Sequence, residues 1–225
     1  MSSQTTFFMN GFYIFFPESP NRGNFSCKEE LMKALVTGGG GFLGSYIVEM
    51  LIQRGYDVFA MGRNRYPYIE GLGAKTIQAD IRDKHSVLHA LEGMDVVFHT
   101  AAKPDPWGKW REFFSINVEG THNVLEACRK HRIEYLVYTS SPSVIFEEKD
   151  MENVDERVPY PSKYLAYYPA TKAIAERAVL SSNGNGFKTT SLRPHLIFGP
   201  RDNHLIPRIL ERGRKGKLEI GRAHV

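Results

Sequence analysis

The sequence predicts an α/β chain built as a doubly wound parallel sheet, and three observations predict it. Short apolar runs at 34–37, 57–61, 75–80, 95–100 and 135–139 alternate with stretches of helical apolar periodicity. The first of these runs passes through a glycine cluster straight into a helix. The composition, 225 residues with 42% hydrophobic and 24% charged, is ordinary for a globular domain and long enough to bury a large core.

Residues 1–31 stand apart from this pattern. The run 7–16 is aromatic and interrupted by Asn10 and Gly11. It has neither the basic start nor the small-residue cleavage site of a signal peptide. Residues 17–24 are polar and turn-forming. Met32 sits immediately before the first strand, so residues 1–31 are expected to be a non-native or disordered leader, with the domain running from 32 to 218.

The first strand, Ala34-Leu35-Val36-Thr37, enters Gly38-Gly39-Gly40-Gly41-Phe42-Leu43-Gly44. Leu43, Ile47, Val48, Leu51 and Ile52 then share one face of a helix that stops at Gly55. Thr-Gly-x-x-Gly-x-x-Gly is one residue looser than the G-x-G-x-x-G dinucleotide pattern. Glycines let backbone N–H groups approach a pyrophosphate, and the helix N-terminus behind them favours its charge. A P-loop needs Lys after the last glycine, and Ser45 stands there instead. Gly38, Gly41, Phe42, Leu43 and Gly44 are therefore the predicted cradle, and the fold is a Rossmann-like doubly wound parallel sheet.

The second strand runs out into Gly62-Arg63-Asn64-Arg65 with no carboxylate. An acid at this point suits the ribose hydroxyls of NAD, and a guanidinium suits a 2′-phosphate. Arg63 thus favours NADP, with NAD admissible; exposed loop arginines are the other reading. Asp80 and Ile81, ending the third strand, are expected beside the adenine. Asp83 caps a helix through Leu91. His85 and His89 lie four apart on that helix without a third ligand, so no metal is predicted.

The fourth strand leads into Ala101, Ala102 and Lys103, predicted to line the cofactor, and then a Pro104-Asp105-Pro106-Trp107-Gly108 loop. A long helix follows, holding Asn117 and continuing to about Lys130. The fifth strand ends in Ser140-Ser141-Pro142-Ser143.

Tyr168 and Lys172 lie at i and i+4 near the start of the next helix and project from one face. A free phenol, with a pKa near ~10, is a reluctant proton carrier at neutral pH. A neighbouring ammonium is expected to bring it toward working range. Ser141, at its strand end, is placed to hydrogen-bond a substrate oxygen beside Tyr168.

Thr37 to Gly44, Asp80, Asn117, Ser141 and Tyr168/Lys172 together resemble the extended short-chain dehydrogenase/reductase superfamily. Residues 138–146, 172–180 and 192–200 resemble its 3β-hydroxysteroid dehydrogenase branch. Ala101-Ala102-Lys103 with Trp107-Gly108, and residues 199–205, are similar to the bacterial 2-alkyl-3-oxoalkanoate reductases of that branch. The resemblance implies hydride transfer between a nicotinamide and a ketone or secondary alcohol of a hydrophobic substrate, a β-keto acid or a 3β-hydroxysteroid-like alcohol. It implies Tyr168 as general acid/base, Lys172 tuning it and holding the nicotinamide ribose, and Ser141 orienting the carbonyl. Asn117 would support the site, and Pro194 would pack near the nicotinamide.

Relatives of this kind continue into a smaller substrate lobe, which is expected to be largely missing here. Residues 219–225 are what a common sequencing adapter encodes in frame, so they are expected to be foreign to the protein. Two other functions share these motifs, a nucleotide-sugar epimerase or dehydratase and a non-catalytic dinucleotide sensor. The net charge of +4 is scattered apart from 208–217, which argues against a nucleic-acid partner. No apolar run reaches the roughly 20 residues of a membrane span. Two cysteines, Cys27 and Cys128, suggest a reducing compartment, and a cytoplasmic location is expected. Association as a homodimer is left open.

Overall fold

The computed structural model describes residues 8–9, 12–13, 31–147, 151–152, 154–202 and 205–217. Most of the expected leader, Asn203 and His204, and all of 219–225 lie outside them. Within the leader, β1 (Phe8–Met9) and β2 (Phe12–Tyr13) pair antiparallel as a small sheet of their own.

The main sheet is formed by β3 (Lys33–Thr37), β4 (Asp57–Gly62), β5 (Lys75–Gln78), β6 (Val96–His99), β7 (Tyr135–Thr139) and β8 (Lys188–Leu192). All neighbours are parallel, in the order β5-β4-β3-β6-β7-β8. Between them run α1 (Phe42–Gln53), α2 (Pro67–Gly71), α3 (Lys84–Ala90), α4 (Trp110–Phe113), α5 (Gly120–His131) and α6 (Tyr167–Ser181), and α7 (Leu205–Arg214) follows β8.

Both faces of the sheet are buried, as the apolar runs require. Alternation along each strand sends Leu35, Met61, Val97 and Leu136 into one core with Val124, Leu125 and Val179. Ala34, Val36, Val58, Ala60, Val96 and Phe98 enter the other with Val48, Leu51 and Ile69. The strand order reverses between β3 and β6, so a crevice opens outside the ends of those two strands. In this fold that is where ligands bind.

Predicted strands agree with the observed ones to within two residues, and Asp83 caps α3 by accepting from the His85 N–H at 3.0 Å. Two features differ from expectation. The strand β8 reads Lys-Thr-Thr-Ser-Leu, with only Leu192 apolar, so it carries no alternation to detect. The helix holding Asn117 is not continuous: a wide π turn, Phe114–Glu119, joins α4 to α5. Gly120 lies against the Ile81 side chain, 2.7 Å from where its own Cβ would be. The Thr121 hydroxyl donates to the Asn117 carbonyl at 2.7 Å, satisfying part of this irregular turn.

Candidate active site

The glycine turn folds tightly on itself. Gly38 has φ +68 and donates its N–H to the Met61 carbonyl at 2.7 Å, in the left-handed region that favours glycine. A Cβ on Gly44 would stand 2.1 Å from the Gly38 carbonyl oxygen. Gly41 is the N-cap of α1 and offers no side-chain cap, and no acid occupies the first turn. The first N–H donors of α1, on Phe42, Leu43 and Gly44, are therefore left for an anion. That arrangement fits a pyrophosphate. Phe42 stacks edge-on with Tyr46 at 5.6 Å, and Leu43 packs onto the core.

Beyond the turn, an open cleft of about 480 Å³ is lined by Arg63, Gln78, Ala79, Asp80 and Ser86. Arg63 is exposed, and its carbonyl accepts from the Gln78 amide at 2.9 Å. Asp80 is gripped by the Arg82 fork at 3.0 and 2.6 Å, which holds its carboxyl below the usual range against the opposing effect of burial. The Ile81 side chain is buried against Gly120.

At the end of β6, Ala101 donates its N–H to the Thr37 hydroxyl at 3.2 Å. Ala102 follows it, partly buried, and leads to Lys103. The backbone of Lys103 is held by Asn117, whose Oδ1 accepts from the Lys103 N–H at 2.8 Å and whose Nδ2 donates to its carbonyl at 3.3 Å. The same Nδ2 donates to the Thr171 hydroxyl on α6 at 3.0 Å. Asn117 thus ties the loop after β6 to the helix that carries Tyr168 and Lys172. The Lys103 ammonium points elsewhere, to Asp105 at 2.8 Å.

Ser141 follows β7 and caps the short 3-10 turn Pro142–Ile145, accepting from the Ser143 N–H at 3.2 Å. Tyr168 stands in the first turn of α6. Burial pushes its phenol above the ordinary value, while a hydrogen bond with Ser141 works in the opposite direction. Lys172 is 2% exposed, donates to the Thr139 carbonyl at 2.6 Å and places its Nζ 4.1 Å from the centre of the Tyr138 ring. Burial lowers this amine to about 7, with Glu176 pulling it back up. The expected lowering of Tyr168 by Lys172 is not what this geometry delivers, because desolvation of the phenol dominates. Pro194 follows β8, next to β7, and so belongs to the same edge.

Four participants were not singled out from sequence. His99, fully buried, links the Thr37 hydroxyl at 2.7 Å to the Thr121 hydroxyl at 3.0 Å. Glu176 and Arg193 form an ion pair behind Lys172. Tyr66 lays its ring over the glycine turn, 2.1 Å from where a Gly40 Cβ would be. Only Glu176 had a usable signal, its spacing of four from Lys172.

A switch-point crevice with a glycine turn, beside a Ser–Tyr–Lys set, defines the class as the extended short-chain dehydrogenase/reductases. The chain belongs to the 3-beta hydroxysteroid dehydrogenase/isomerase family, whose model matches residues 35–225. It is 47% identical over 191 residues to the 2-alkyl-3-oxoalkanoate reductase of Stenotrophomonas maltophilia, covering 84% of this chain and 58% of that protein. It is 40% identical over 194 residues to the decarboxylating sterol-4-alpha-carboxylate 3-dehydrogenase of Mus musculus, covering 84% and 52%. Among solved structures, the UDP-glucose 4-epimerase of Thermus thermophilus in complex with NAD superimposes with a TM-score of 0.71 at 34% identity, covering 82% of this chain and 63% of that one. The chain spans little more than half the length of these curated relatives. Among the described residues, no helix is long and apolar enough to cross a membrane.

Proposed function

We propose that residues 32–218 form the dinucleotide domain of an NADP-dependent oxidoreductase acting on a ketone or secondary alcohol of a hydrophobic substrate. The observation that carries this reading is the placement of Ser141 at the end of β7 and of Tyr168 and Lys172, one turn apart, at the start of α6, at the carboxyl edge of the sheet. When bound, the nicotinamide supplies or accepts the hydride. The N-terminus of α1 would hold its pyrophosphate, and Ala101, Ala102, Lys103 and Pro194 would border its reactive end.

Tyr168 acts as the acid. A phenol raised by burial keeps its proton at neutral pH, which suits donation to a carbonyl oxygen during reduction. Ser141 shares that oxygen and fixes the angle of approach. Lys172 returns a positive charge to the phenolate left behind. Arg63, exposed at a strand end without a carboxylate, supports NADP over NAD. For the substrate, Trp110 packs against Phe114 at 5.6 Å and Tyr167 at 5.5 Å and stays 40% exposed, and Trp107 on the preceding loop is 85% exposed. Such an aromatic shelf beside Tyr168 suits an apolar chain better than a sugar.

A second reading, a nucleotide-sugar epimerase, is favoured by the 34% identical epimerase structure. Assay of the full-length protein with NADPH and NADH against a long-chain β-keto acid, a 3-ketosteroid and a UDP-sugar separates the two. Net NADPH oxidation by an apolar ketone is expected. Sugar interconversion without net cofactor consumption would replace this reading with the epimerase. A chain that binds neither nicotinamide form would defeat both.

A further inference from the structure

Two charged side chains of α6 are enclosed one turn apart, Lys172 at 2% and Glu176 at 0% exposure. The spacing puts them on the same face of the helix. The Glu176 carboxylate lies behind the Tyr168–Lys172 pair. Its Oε1 accepts from the Tyr160 hydroxyl at 2.6 Å and from Arg193 at 2.6 and 3.1 Å, and its Oε2 accepts from the Ser191 hydroxyl at 3.1 Å. Arg193 also stands over the Tyr160 ring at 5.6 Å, with Arg177 over the same ring at 4.2 Å. Burial pushes the Glu176 carboxyl up, but hydrogen bonds from Arg193, Ser140 and Tyr160 outweigh it and keep the carboxyl below its ordinary range.

A buried ion pair is seldom the most stable filling for its volume, since apolar residues of similar size do as well or better. This one lies a single helical turn from a buried lysine. The other titratable groups around Lys172 offer it no counter-charge. His99 on β6 is neutral, because burial drives it to about 3. Tyr138 on β7 and Tyr168 on α6 are both pushed up by burial and remain phenols. The Thr139 carbonyl and the Tyr138 ring face contribute only partial charge. Glu176, one turn along the same buried face, is the carboxylate placed to oppose the lowering of Lys172 by burial.

We propose that Glu176, kept ionised by Arg193 and Tyr160, is a positioning residue whose carboxylate favours the charged form of Lys172 on the Thr139 carbonyl. Without it, less of the lysine would stand charged at the Ser141–Tyr168 edge. The functional consequence rests on the Tyr168–Lys172 reading above, whereas the electrostatic claim stands on its own.

The test follows the Lys172 side-chain nitrogen by ¹⁵N NMR across a pH titration, with Lys172→Met identifying the resonance. In Glu176→Gln the midpoint is expected to fall by about one pH unit, a tenfold loss of proton affinity. Glu176→Asp, which keeps the charge while disturbing the packing more, should stay near the unsubstituted protein. An unmoved midpoint in the Gln variant, or equal shifts in Gln and Asp, would overturn the proposal. Should Glu176→Gln fail to fold, the unsubstituted protein still decides. Coupling is reciprocal, so the Glu176 carboxyl carbon must show a step at the Lys172 midpoint. Absence of that step overturns the proposal. NADPH binding is scored on the same samples, and its absence alongside a shifted midpoint would defeat the reading of the site while leaving the Glu176 assignment standing.

Discussion

His99 Nε2 lies 3.0 Å from the Thr121 hydroxyl, and this contact fixes which ring nitrogen carries a hydrogen in the buried chain beneath the site. Thr121 spends its own proton on the Asn117 carbonyl, so it must accept from His99. Nε2 therefore carries the hydrogen, and Nδ1 accepts from the Thr37 hydroxyl, which in turn accepts from the Ala101 N–H. Nδ1 accepts because the imidazole is neutral, which its burial enforces by driving it to about 3.

Acid should therefore weaken the fold through His99. Its folded value of about 3 lies below the ordinary 6.5, so as pH falls the unfolded chain takes up a proton that the folded chain refuses. The loss begins near pH 6.5 and continues to about pH 3, amounting to roughly 2 kcal/mol by pH 5 from this group. Denaturant melts at pH 7 and pH 5 should show a smaller difference in His99→Gln than in the unsubstituted protein. Identical differences would contradict the neutral assignment.

Replacing Gly44 with Ala should damage both folding and cofactor binding. The added methyl meets the Gly38 carbonyl at 2.1 Å, and that carbonyl is backbone, unable to swing aside. A cost of roughly 1–3 kcal/mol is expected from overpacking of this kind. Thermal melts with and without NADPH check it: a lower midpoint and a smaller ligand-induced rise are the expected pair.

Tyr168→Phe keeps the buried ring and removes only the hydroxyl. Turnover in the full-length protein should fall by about 10²–10⁴-fold, the usual scale of a positioned acid. NADPH affinity, measured by fluorescence, should stay within a factor of about two. Full activity in this variant would remove Tyr168 from the chemistry.

Arg63→Ala should separate the two cofactors. Loss of one exposed guanidinium beside a 2′-phosphate is expected to weaken NADPH by about tenfold, on the order of one charge-assisted hydrogen bond. NADH, lacking that phosphate, should be unaffected. Parallel titrations decide it, and equal losses would mean that Arg63 serves packing or the shared parts of the two molecules.

Much of this was legible in the chain because the signals are local. Strand runs such as Tyr135–Thr139 are apolar and β-branched or aromatic, and a glycine turn joining strand to helix has few other uses. Tyr168 and Lys172 stand out by their spacing once it is taken together with the glycine turn and Ser141 at a strand end. Apart from Glu176, four residues on from Lys172, what escaped had no local pattern. The polar edge strand β8 is held by pairing with β7, and the π turn at Asn117 has no period of its own. His99 reads in sequence as the end of an apolar strand, and its two threonine partners lie 62 residues before it and 22 after it.

The sequence by itself determined the order of elements, the place of the glycine cradle and the identity of the Ser141, Tyr168 and Lys172 side chains, because backbone preference and helical spacing act over a few residues. Only the tertiary structure decided their charge states. Whether Tyr168 is raised or lowered, and whether Lys172 has a counter-ion, depends on desolvation and on groups brought from β6, β7 and β8. Electrostatics in a buried site is set by neighbours in space, and a linear chain does not name them.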